Sequence, residues 1–209
     1  MEGRTRKLWE KQRTAVGDRV PLFSAVADAA PKVATVLYPG SYVDLTPSLV
    51  WNSVTYLDND RRADRFFNDR AGIEQLLTEH DVDAGKHQFQ FIHGDYTDVH
   101  ELQDESFDLL ISLYAGVISK HCTRFLRIGG CLLVNPSHGD VAMASINAKY
   151  RLRAVVIETD ASFSVSEVEL DRYLVPKRDV DVTAELIEET GRGITYTTAP
   201  FAYLFERIA

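Results

Sequence analysis

The hydrophobic positions change period several times along the chain. Over the first thirty residues Leu8, Trp9, Ala15, Val16, Leu22, Phe23 and Val26 recur among charged neighbours. That spacing predicts one or two amphipathic helices ending at Pro31. A short apolar run at 33–37 reads as a strand stopped by Tyr38-Pro39-Gly40, and a second at 54–57 stops at Asp58. Residues 61–80 return to helical spacing through Ala63, Phe66, Phe67, Ile73, Leu76 and Leu77. Strand-like runs follow at 89–92, closing in His93-Gly94-Asp95, and at 107–113. The second of these is almost continuously apolar, as expected of a strand buried on both faces of a parallel sheet. Ile118, Cys122, Phe125 and Leu126 predict a helix with Arg124 and Arg127 in its last turn, halted by Gly129-Gly130. Further strands are expected at 131–134 and 152–157, a helix around 182–189 ending at Gly191, and a last strand at 195–205. Pro200 inside that last run points to an edge position or a bulge.

Strands alternating with helices in this way predict an α/β fold built on a parallel sheet with right-handed crossovers. No linker interrupts the pattern, so residues 1–209 are expected to form one domain, with 1–31 a helical N-terminal extension. Composition fits a soluble chain: 209 residues, 45% hydrophobic and 26% charged, with 7 prolines and 12 glycines. The net charge of −8 disfavours a nucleic-acid partner. It is concentrated in residues 158–190, which hold ten acidic residues against three basic ones. The whole stretch 158–194 is read as an acidic insertion before the last strand. Folded over the strand ends, it would favour a cationic substrate; as a solvated surface, it would serve solubility. Two cysteines, Cys122 and Cys131, do not make a disulfide scaffold. No apolar run is long enough to span a bilayer, and no secretory signal is apparent, so a cytoplasmic setting is expected.

In open parallel sheets, ligands bind beyond the carboxyl ends of the strands, where strand order reverses. Asp58 stands there, 18 residues beyond Gly40. A carboxylate so placed can accept hydrogen bonds from the vicinal hydroxyls of a ribose, or it can simply end the strand and cap the next helix. Asp95, followed by Tyr96, can accept from the exocyclic amino group of an adenine with the aromatic ring alongside, or it can close an Asx turn. The first turn, Tyr38-Pro39-Gly40-Ser41-Tyr42-Val43-Asp44, lacks the glycines that let a backbone approach a pyrophosphate. Its aspartate would repel phosphate, so a nicotinamide dinucleotide is disfavoured. A cationic, phosphate-free nucleoside is tolerated better.

Residues 33–157 resemble the class I S-adenosylmethionine-dependent methyltransferases. VLYPGSYVD stands where that family carries its first glycine motif, with Gly40 at the first glycine, Tyr42 and Asp44 at the other two, and Tyr38 in place of an acid. VTYLD, FIHGD and SFDLLIS are similar to the second, third and fourth motifs, and RIGGCLLV to the glycine turn before strand five. The resemblance implies a Rossmann-like, mostly parallel seven-stranded sheet with helices on both faces. It implies that S-adenosylmethionine is held by Tyr38, Gly40, Ser41, Asp58, Asn59, Asp95, Tyr96 and Ser112. It further implies methyl transfer to an acceptor, expected to be a small molecule. The departures in the first motif keep a second reading open, a catalytically silent binding or regulatory module. Tyr114, Asn135 and His138 are candidate acceptor contacts, with no catalytic base assigned. His93, Asp95, Asp98 and His100 lack metal-ligand spacing, so no metal is expected. Cys122 reads as a buried, inert thiol. Arg61-Arg62 and the N-terminal Arg and Lys residues read as a solvated face.

Overall fold

The computed structural model describes residues 3–83, 85–160 and 162–209. Residues 1 and 2 of the expected N-terminal extension, and residue 161 of the acidic segment, lie outside this range. Helices α1 (Arg4–Val16) and α2 (Val20–Ala29) open the chain, so the first apolar stretch forms two helices. Strands β1 (Thr35–Pro39) and β2 (Ser53–Asp58) follow, joined through a 3-10 turn at Thr46–Leu49. The single helix expected over 61–80 is two, α3 (Arg61–Asn68) and α4 (Arg70–Glu79). Asp69 divides them: its carboxylate accepts from the Gly72 N–H and caps the second helix. The chain continues through β3 (Gln88–His93), β4 (Phe107–Ser112), α5 (Ile118–His121), β5 (Leu126–Val134), α6 (Asp140–Ile146) and β6 (Tyr150–Thr159). It ends with β7 (Ser162–Ser166), α7 (Ala184–Thr190) and β8 (Ala202–Arg207).

The sheet has eight strands in the order β3-β2-β1-β4-β5-β8-β6-β7. The pairs among β3, β2, β1, β4 and β5 are parallel, whereas β8, β6 and β7 join antiparallel. Seven strands were expected; the eighth, β7, folds back on β6 as a hairpin at the sheet edge. The last strand is central rather than marginal, and Pro200 precedes it, where its missing N–H breaks no ladder. Gly129-Gly130 lies inside β5 instead of ending a helix. Gly129 has φ +81°, and the β4–β5 register shifts between Phe107 and Leu109, so the glycine pair accommodates a bulge.

Side chains alternate across the sheet with period two. Val36, Tyr38, Val54, Tyr56, Leu109, Ile111 and Leu133 face the layer of α1 to α4. Leu37, Leu57, Leu110, Leu132 and Val134 face α5 and α6. On the first face Phe67 stacks between Tyr56 and Phe91, at ring separations of 4.4 and 4.9 Å. Both faces are therefore covered, and the open positions lie at the carboxyl ends of the parallel strands. Strand order reverses between β1 and β4, which opens a crevice there.

Candidate functional site

The crevice is a cavity of about 370 Å³, within the range of small-molecule sites. Gly40, Asp58, Asn59 and Tyr96 line it, together with Gly94, the Tyr114-Ala115-Gly116 loop after β4, and His138. Four elements far apart in sequence thus converge because parallel strands all end on the same side.

The turn after β1 is fixed from beneath. The Gly40 N–H donates to the Leu57 carbonyl at 2.8 Å, and Gly40 takes φ +65°. A Cβ on Gly40 would lie 2.3 Å from the Ala115 Cβ, so only glycine lets the two loops meet. Asp58 joins the turn to its own strand: one carboxylate oxygen accepts from the Tyr42 N–H at 2.7 Å, the other from the Asp60 N–H at 2.8 Å. Each oxygen retains acceptor capacity. Arg62 lies over the Tyr42 ring at 5.0 Å and pairs with Asp60 at 2.6 Å, bracing the outside of the same turn.

Asp95 is exposed at the rim. One of its carboxylate oxygens accepts from both the N–H and the hydroxyl of Thr97, at 2.9 and 2.8 Å. These bonds close the turn after β3 and hold the Asp95 carboxyl below the usual range. Tyr96 is half-buried and its hydroxyl rests where a Cβ on Gly116 would stand, 2.4 Å from that position. Burial raises its pKa.

Four of the expected cofactor residues do not line the cavity: Asp95, which stands beside it between Gly94 and Tyr96, and Tyr38, Ser41 and Ser112, which are buried. Tyr38 points into the helical layer, where its hydroxyl accepts from Arg19 Nη1 at 3.0 Å and approaches Asp44 at 3.4 Å. Ser41 is 2% exposed, and its hydroxyl finds no partner among the described residues. Ser112 donates to Asp140 at 2.5 Å, and the other oxygen of Asp140 accepts from the Ser119 N–H at 2.9 Å. Burial raises the Asp140 pKa against the pull of these bonds.

The role of Arg19, and that of Asn135 as a tie between loops, were not visible in the sequence. Arg19, in the segment read as a helical extension, is buried and pairs with Asp44 at 2.7 Å beneath the first turn. Burial opposes its charge, yet Tyr38 and Asp44 hold its pKa above the ordinary value. The aspartate expected to repel anions is therefore neutralised within the fold. Asn135, 3% exposed, accepts from the Tyr114 N–H at 3.2 Å and from the Ser137 hydroxyl at 2.8 Å. It ties the β4 loop to the turn carrying His138, which has φ +55°. Of the three candidate acceptor contacts, Tyr114 and His138 line the cavity, while the buried Asn135 is the tie behind them.

The acidic segment reaches this end of the sheet through α7. A Cβ on Gly139 would lie 2.6 Å from Ile187 and 3.3 Å from the Arg192 carbonyl. The groups that meet the His138 turn are thus apolar and backbone groups, while Glu188 pairs with Lys120. Burial pushes the Cys122 thiol up to about 12, consistent with an inert cysteine. Among the described residues no cluster of His, Cys, Asp or Glu could hold a metal ion, and no helix is long and apolar enough to cross a membrane.

No protein-family model and no curated protein matches this sequence. Solved structures do match. A Thermotoga maritima protein described as a SAM-dependent methyltransferase, possible histamine N-methyltransferase, superposes with TM-score 0.52 at 12% identity, over 98% of this chain and 97% of the other. An S-adenosylmethionine-dependent methyltransferase from Clostridium acetobutylicum aligns over 98% of both chains, with TM-score 0.46 and 10% identity. An rRNA methylase from Streptococcus thermophilus aligns over 90% of this chain and 94% of its own, with TM-score 0.42 and 11% identity. The likeness to the first of these is one of fold: the mostly parallel eight-stranded sheet of this chain, with helices on both faces, is the Rossmann-like α/β fold of the class I S-adenosylmethionine-dependent methyltransferases.

Proposed function

We propose that the protein is a cytoplasmic S-adenosylmethionine-dependent methyltransferase acting on a small-molecule acceptor. The observation that carries this reading is the convergence of Gly40, Asp58, Asn59 and Tyr96 on one cavity at the strand-order reversal. The residues fit the nucleoside half of the cofactor. Asp58 offers two oxygens with spare acceptor capacity to a ribose diol, and Gly94 and Tyr96 line the part of the cavity where a base would lie. Asp95 would accept from the base through the oxygen that Thr97 leaves free.

When bound, the cofactor supplies a methyl group activated by its sulfonium. The chain's own task is positioning. Asn135 holds the Tyr114 backbone and, through Ser137, the turn that presents His138 to the cavity. Tyr114 and His138 line the same cavity as Asp58, and an acceptor would be oriented against them.

One observation favours the second reading, a binding or regulatory module without turnover: Ala115 covers Gly40, where the family resemblance places the methionine arm. Calorimetric titration with S-adenosylmethionine and S-adenosylhomocysteine, with NAD as control, separates the two. The enzyme reading expects micromolar binding of both sulfur ligands and none of NAD. Asp58→Ala should weaken it by about 1.5–3 kcal/mol, the worth of hydrogen bonds to a charged acceptor. Asp58→Asn keeps only one acceptor oxygen and sets an amide NH2 against the other backbone N–H, so it too should weaken binding. A folded protein that binds neither sulfur ligand would reject the enzyme reading in favour of the module.

A further inference from the structure

The two basic stretches that read as separate solvated faces in the sequence meet in the structure. Arg4, Lys7 and Lys11 lie at spacings of three and four on α1, which places them on one stripe together with Leu8. Arg62 and Arg65 share a stripe of α3 with Phe66. The stripes line a single groove of about 270 Å³, with Leu8 and Phe66 as its apolar lining between five cations. Arg62 is engaged by Asp60. Arg4, Lys7, Lys11 and Arg65 make no salt bridge with a described residue, and no acidic residue lines the groove. In a chain of net charge −8 this is an inverted patch. Like charges three and four apart on a helix repel one another, so the arrangement carries a cost that a bound anion would relieve.

We propose that the groove between α1 and α3 is a binding site for a small organic phosphate with a hydrocarbon group. The phosphate matches the cationic rim, where Arg and Lys donors can each reach a phosphate oxygen. The hydrocarbon matches the part-exposed Leu8 and the aliphatic stems of the long cationic side chains, with the buried Phe66 at the floor beneath them. A nucleic-acid strand fits less well. Arg4 to Lys11 spans only about 10 Å of helix, Phe66 is 1% exposed and presents no ring face for stacking, and the chain as a whole carries a net charge of −8. The groove is distinct from the crevice: the Asp60–Arg62–Tyr42 contacts stand between them.

The test is titration of the full chain with octyl phosphate below its micellar concentration, read by calorimetry and thermal shift. Inorganic phosphate, octyltrimethylammonium and a short single-stranded RNA serve as comparison ligands. The groove predicts saturable 1:1 binding of octyl phosphate, at least tenfold tighter than inorganic phosphate, and none of the cationic amphiphile. K7E/K11E should weaken octyl phosphate at least tenfold, and the milder R65Q severalfold. K86E/K149E, an equal charge change elsewhere on the surface, should leave it unaltered. Equal binding by K7E/K11E and R65Q, equal affinity for inorganic phosphate, or tighter binding of the RNA than of octyl phosphate would each overturn the proposal.

Discussion

Arg19→Met tests the foundation of the crevice. The Arg19 and Asp44 side chains are 7% and 3% exposed and meet at 2.7 Å, with the Tyr38 hydroxyl 3.0 Å from the guanidinium. Asp44 also accepts from the Thr46 N–H at 3.1 Å, which fixes the 3-10 turn after Gly40. Removing the cation alone strands a carboxylate in the helical layer, with only a phenol and one peptide N–H for company. Loss of one partner of a buried pair costs about 3–5 kcal/mol, because the remaining charge is left uncompensated. For a chain of this length that corresponds to a fall in melting temperature of about 6–20 °C. Replacing both charges removes the stranded group, so R19M/D44N should recover at least about 1 kcal/mol relative to additivity. The assay is urea unfolding of the wild type, both single variants and the double variant, with the denaturant slope checked for constancy. A cost below about 1 kcal/mol for Arg19→Met would refute the reasoning, since a surface pair is worth no more than that. So would strict additivity of the two changes.

Two further outcomes follow from burial. Cys122, with its thiol pushed up to about 12, should resist thiol reagents at pH 8 in the folded protein and react fully once the chain is unfolded; rapid native labelling, with Cys122 identified by peptide mapping, would contradict its packing. Asp140 has its pKa raised by burial, so the folded state holds a proton more tightly than the unfolded one and the associated stability is present at low pH and lost as pH rises through the folded value. Asp140→Asn should therefore flatten that part of the stability profile between pH 4 and neutrality in parallel urea titrations, and superimposable profiles would dismiss the shift.

Much of the sheet was legible because its cause is local. A strand covered on both faces must be mostly apolar, and β4 is so from Leu109 to Ile111; an acid that closes a buried strand stands out, as Asp58 does. Asp95 was legible only in position: its Asx turn and its place at the rim are both present in Gly-Asp-Tyr-Thr-Asp. What escaped depends on contacts between distant residues. Gly129-Gly130 suits a left-handed helix stop as well as a bulge, and pairing with β4 decides for the bulge. Arg19 looked like one more cation in a charged segment until Asp44, 25 residues on, came to meet it. Tyr38 and Ser112 stand at strand ends, as expected. The direction of their side chains, however, follows from which face each strand position takes, and both turn away from the crevice.

The position of β8 bears on how the molecule assembles. It is the last strand in chain order, yet it lies between β5 and β6 and pairs with both. Until it is made, the parallel half of the sheet ends in a β5 with one open edge, and the β6–β7 hairpin has no neighbour to attach it. Pairing Cys131 with Glu206 and Tyr150 with Arg207 closes loops of more than fifty residues, and such non-local pairing slows folding. An apolar edge waiting for its partner is also a template for foreign strands. Synthesis of this chain should accordingly pass through a stage in which the nearly finished sheet needs shielding, and the arrival of β8 ends that stage in one step.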